Sequence, residues 1–109
     1  MAPQLAWIVL VTAGLLDVGW AISMKYAAGY TRLDWSIVSL VLLAAFVFLL
    51  GRALQVLEIG VAYTVWTGIG AVGTLIMGVL LFGEALNPMK IAGIVLVLIG
   101  IAALKFAPA

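Results

Sequence analysis

Neither cysteine nor histidine occurs anywhere in the 109 residues, and only 8% of them are charged, four acidic and five basic. Without cysteine there is no thiol nucleophile, no disulfide and no thiolate metal site; without histidine the usual general base and zinc ligand are gone as well. No glycine-rich phosphate loop and no Ser/His/Asp set is present. The five Lys and Arg are spread one or two per linker, so no basic stripe could follow a nucleic acid. These gaps predict a protein that is not an enzyme, holds neither metal nor cofactor and binds no nucleic acid.

What fills the chain is apolar: 68% of it is hydrophobic, against about half in ordinary soluble domains. Crossing a hydrocarbon core of about 30 Å takes about 20 apolar helical residues. Four runs have that length, at about 5–24, 35–51, 59–82 and 89–106. The last two are separated by Gly83-Glu84-Ala85-Leu86-Asn87-Pro88, whose Asn and Pro suit an N-cap and first helical turn. A signal peptide over Leu5 to Leu16 is rejected, since no basic segment precedes it and three more spans follow. Unpaired backbone groups are intolerable in lipid, and the alternating polarity of a barrel is missing, so the expected fold class is all-α: one four-helix membrane domain over 1–109.

With four spans, Arg52 and Lys105 fall on the side of the termini, and Lys25, Arg32 and Lys90 on the other. Short-loop Lys and Arg excess sets orientation, and two against three is nearly balanced, which predicts insertion both ways. So small a bundle encloses little volume, and a pathway is expected between two copies. In the fourth span Gly93 and Gly100 are seven apart and share a stripe, a candidate dimer contact. Oppositely inserted copies would pair as an antiparallel dimer, an inverted repeat suited to alternating access.

Asp17 is the one acid at membrane depth, a position costing about 2.5 to 3.5 kcal/mol on insertion scales, which marks it as functional by default. Helical spacing groups it with Ala13, Gly14, Trp20, Ala21 and Met24, small residues beside an acid and an indole. In the third span Tyr63, Trp66, Thr67 and Gly70 follow the same spacing. A carboxylate flanked by indole and phenol faces is chemistry for a small organic cation. Because the same carboxyl can hold a proton instead, proton and cation compete, which is sufficient for antiport if the empty charged site rarely crosses. The Gly68-Ile69-Gly70 stretch weakens helix continuity at mid-span and is a candidate hinge.

These residues resemble the small multidrug resistance family, most closely its guanidinium-exporter branch. The likeness covers nearly the whole chain through Asp17-Val18-Gly19-Trp20-Ala21, Met24-Lys25-Tyr26, Gly29-Tyr30-Thr31-Arg32-Leu33, the run Ile59 to Ala71, and Gly83-Glu84 through Asn87-Pro88-Met89-Lys90. The Trp-Thr-Gly-Ile-Gly segment at 66–70 is characteristic of that branch. The resemblance implies a bacterial inner-membrane protein, an antiparallel homodimer exporting guanidinium-type cations in exchange for protons. It further implies a central acid at Asp17, aromatic partners at Trp20, Tyr63 and Trp66, a kink at Gly68 and Gly70, and a dimer contact at Gly93 and Gly100.

Three positions depart from the family pattern. The central acid is Asp17 rather than Glu, one methylene shorter; Phe46 stands where a site-lining Ser is usual; and Glu58 replaces a Pro. Losing a hydroxyl to a phenyl predicts a drier site tolerant of more apolar cations. Export of bulkier quaternary ammonium ions, one subunit of a heterodimeric pair, and a non-transporting scaffold stay open as alternatives.

Overall fold

The computed structural model describes residues 1–108. Four helices follow in order, α1 (Pro3–Tyr26), α2 (Leu33–Ala53), α3 (Ile59–Phe82) and α4 (Pro88–Phe106), and all four are long and apolar enough to cross a membrane. At about 1.5 Å per residue even the shortest spans the hydrocarbon.

Three of the helices run past the apolar stretches because polar residues suit their ends. Lys25 and Arg52 sit in the last turns of α1 and α2 and Asp34 in the first turn of α2, each opposing the local end of the helix dipole. Pro3 and Pro88 occupy first-turn positions where a missing N–H costs nothing. Asn87 caps α4, its side-chain oxygen accepting from the Lys90 backbone N–H at 2.9 Å. α3 ends at Gly83, left-handed at φ 65°, where the Gly83 and Glu84 N–H groups both donate to the Gly78 carbonyl, the latter at 3.2 Å. Glu58, before α3, keeps φ −60°, the angle a proline would impose, so its substitution leaves the backbone path unchanged.

Between α1 and α2 the chain turns through three left-handed residues, Ala28, Gly29 and Tyr30. The two residues with a Cβ are strained there, and side chains hold the turn: Tyr30 Oη bonds the buried Ser39 Oγ of α2 at 3.1 Å, and Thr31 Oγ1 donates to the Ala28 carbonyl at 2.8 Å.

The helices lie in the order α2, α1, α3, α4, with α1 packed on both α2 and α3, α4 resting mainly on α3, and α2 scarcely touching α3. The result is a slab of 44 × 35 × 17 Å. Lys105 near the end of α4 reaches over the Trp7 ring of α1 at 5.9 Å, while Lys25 of α1 meets Glu84 beyond α3 at the opposite end, as four alternating spans require.

Small residues make the α1–α3 contact. Gly14 lies under Ile69, whose Cγ2 would stand 2.7 Å from a Cβ at that position, and Gly73 lies under Val18. In lipid no hydrophobic effect drives helices together, so this closeness and its dispersion contacts supply the attraction. α4 buries no residue at all, and Gly93 and Gly100 both have open space beside them.

A Gly73→Ala change would set its Cβ 2.5 Å from Val18 Cγ2, against a side chain with few rotamers. The expected loss is about 1–3 kcal/mol of stability, read as a lowered thermal midpoint in detergent. Gly60→Ala, with nothing within 4 Å, should be neutral or slightly stabilising. Equal midpoints for the two variants would contradict the α1–α3 contact.

Candidate functional site

Asp17 sits half-buried midway along α1, with its carboxyl laid directly on the backbone of Gly70 in α3. Any Cβ at 70 would overlap Asp17 Oδ2, so the glycine makes the acid's position possible. From there an open cleft of about 530 Å³ runs between α1 and α3, past Ala21, Thr67 and Thr74, to Lys25 and Glu84 at its mouth. Among the described residues no cation stands within ion-pair distance of Asp17; Lys25 pairs with Glu84 instead, at 3.7 Å.

One turn away on each helix, Trp20 follows Asp17 and Trp66 precedes Gly70, although neither indole lines the cleft itself. The indoles belong to a chain of rings crossing three helices. Trp20 of α1 lies 5.3 Å from Phe46 of α2, Phe46 lies 5.5 Å from Trp66 of α3, and Trp66 lies 5.3 Å from Tyr63. Phe46 is 3% exposed and fills the gap between the two indoles, while Tyr63, at 56%, forms the open end. The Nε1 groups of Trp20 and Trp66 are buried without a hydrogen-bond partner, and Phe46, the ring between them, offers no acceptor.

Asp17, Thr67 and Gly70 therefore share the cleft, and Trp20, Phe46, Trp66 and Tyr63 share the ring ladder. Thr67 also faces a second groove, about 490 Å³ between α3 and α4, where Tyr63 and Gly100 stand. Gly14 is buried under Ile69 in the α1–α3 contact, outside the residues that line the cleft. Gly68 faces α4, with Ile101 Cδ1 3.0 Å and Val97 Cγ1 3.1 Å from where a Cβ would stand, and α3 is an unbroken helix through both Gly68 and Gly70. Thr74, Phe82, Lys25 and Glu84 also line the cleft and were not among the site residues expected from the sequence. Thr74 continues the 63, 67, 70 spacing and Lys25 lies two turns beyond Asp17, so extending each stripe would have reached both.

Residues 5–97 match the family model for Small Multidrug Resistance protein. The chain belongs to the small multidrug resistance family. It is 54% identical over 103 residues to a protein of Yersinia pseudotuberculosis serotype I (strain IP32953) named Guanidinium exporter, covering 94% of this chain and 99% of the relative. Proteins with the same name from Escherichia coli (strain K12) and Citrobacter freundii are each 46% identical over 101 residues, covering 93% of this chain and 96% of theirs. As a small multidrug resistance protein with four spans, this one is a multi-pass protein of the inner membrane, and none of these relatives is named as an enzyme.

Within this family member Phe46 is the keystone of the ring ladder, since it alone joins the indoles of α1 and α3 through α2. Phe46→Ala should cost about 3–5 kcal/mol of stability and collapse the near-ultraviolet circular dichroism of the tryptophans. Phe46→Leu should lose less stability but a similar share of the aromatic signal. An unchanged tryptophan spectrum in both variants would contradict the ladder.

Proposed function

We propose that this protein is a proton-coupled antiporter that exports guanidinium or substituted guanidinium ions, with Asp17 holding proton and cation in turn. The observation that carries the reading is a carboxyl at membrane depth, opening on a cleft beside an aromatic ladder, with no cationic side chain to neutralise it. A bare carboxylate is costly there, so Asp17 is stable only when loaded. Either load leaves the site neutral, and neutrality is what lets the protein change its facing.

Guanidinium suits these groups. Its planar fork of N–H donors matches a carboxylate in two parallel bonds, and its flat face is attracted to an indole. Trp20, Tyr63 and Trp66 serve as aromatic partners and Thr67 as a hydroxyl on the cleft wall. The names of the relatives from Yersinia and Escherichia support guanidinium as the exported class.

Transport is proposed to need two copies. α4 buries nothing in one chain and presents Gly93 and Gly100 uncovered, and two buried indole N–H groups lack acceptors. A second copy packed on the open side of the slab would cover the former and can supply the latter. The near balance of Lys and Arg across the membrane supports an antiparallel pair. In such a pair Gly68 and Gly70 are the proposed flexing point of α3 as the facing changes. Phe46 between the indoles, offering a ring where a hydroxyl is usual, favours a second reading in which bulkier, more apolar cations are also carried.

In proteoliposomes, Asp17→Asn should keep dimerisation while guanidinium-driven proton movement falls to background. For the unaltered protein, apparent guanidinium affinity should weaken as pH falls, by up to about tenfold per unit once the site is mostly protonated, because the proton occupies the same carboxyl. Affinity independent of pH, or transport retained by Asp17→Asn, would sink the exchange mechanism. Currents from quaternary ammonium ions but none from guanidinium would favour the second reading.

A further inference from the structure

The mouth of the Asp17 cleft carries an arrangement that the proposed exchange at Asp17 does not use. Glu84 Oε2 lies 3.7 Å from Lys25 Nζ, and the same ammonium stands 4.6 Å from the centre of the Phe82 ring. An acid and an aromatic face thus already hold an organic cation, one tethered to α1. We propose that Glu84 and Phe82 form a second cation station at the cleft mouth, with Lys25 as its resident occupant, which a guanidinium-class cation displaces on its way to or from Asp17. This rests on the reading of the cleft as a cation pathway.

The fold gives no local reason for an acid at position 84. Glu84 follows the C-terminus of α3, where the helix dipole is negative and a carboxylate is disfavoured. α1 and α3 end on the same side of the membrane, so two negative helix ends converge on the carboxylate and raise its need for a cation. The turn nonetheless presents it inward: Gly83 takes the left-handed conformation and Glu84 folds back onto Gly78, where a Cβ would stand 2.8 Å from Glu84 Cδ. Lys90, the other basic residue of this segment, is engaged with the Ala85 carbonyl at 2.6 Å.

Lys25 is replaceable. The side chains of Lys25 and Glu84 are 58% and 43% exposed, and ion pairs so open to water are weak. A guanidinium ion pairs with a carboxylate through two parallel N–H bonds, which an ammonium cannot match. Asp17 lies eight residues before Lys25 on α1, about 12 Å along the helix, so the two acids mark the ends of one cleft. Displacing Lys25 also keeps its positive charge from lying across the path of an arriving cation.

The test separates the two sites. In purified full-length protein carrying Asp17→Asn, adding Lys25→Gln should create saturable guanidinium binding, measured with radiolabelled guanidinium by equilibrium dialysis, and a further Glu84→Gln should remove it. In proteoliposomes with Asp17 intact, Glu84→Gln should raise the guanidinium KM about two- to fivefold, while Arg52→Gln at the far end leaves it unchanged. Monodispersity on size exclusion verifies that each variant is folded. No binding after Lys25→Gln, binding that survives Glu84→Gln, or an unshifted KM would each overturn the station. If the protein with Asp17 intact shows no guanidinium binding sensitive to Asp17→Asn, the exchange mechanism fails, and the first arm still decides whether Glu84 binds the cation.

Discussion

A carboxyl group held at membrane depth against the backbone of Gly70 is the constraint on which the rest of this molecule depends. Putting Asp17 there costs several kcal/mol in lipid, and the surroundings are arranged to make the position tenable without neutralising it permanently. Gly70 clears space for the carboxyl, Gly14 and Gly73 let α1 and α3 approach closely enough to wall it, and Lys25 is engaged two turns away by Glu84. Had Lys25 paired with Asp17, the protein would be more stable and the acid would have no vacancy to offer.

The slab shape follows from the same economy of packing. α1 and α3 each have a helix on both sides, while α2 and α4 stand at the two edges. Without water to drive apolar surfaces together, helices associate where small residues allow close contact, and such residues line α1 and α3. The same economy leaves the stripe of α4 uncovered and two indole donors unpartnered among the described residues.

Phe46 ties the aromatic residues into a continuous ladder. It joins the indoles of Trp20 and Trp66, so α1 and α3 are coupled through α2 by ring contacts. Aromatic contacts are less directional than hydrogen bonds.

Four spans, the all-helical class, the intramembrane acid and the family were legible in the residues alone, because apolar length, charge scarcity and 3.6-residue periodicity are local properties. The grouping of Asp17 with Trp20 and of Trp66 with Gly70 was within reach for the same reason, each pair continuing a stripe on its own helix. Pairing between stripes was not. That Gly14 would serve packing with Ile69, that Gly68 would face α4 while Gly70 faces the acid, and that Glu84 would fold back over Gly78 to meet Lys25 all depend on how helices rotate against one another. Rotation is decided by the fit of surfaces far apart in the chain, and only the tertiary structure contains it.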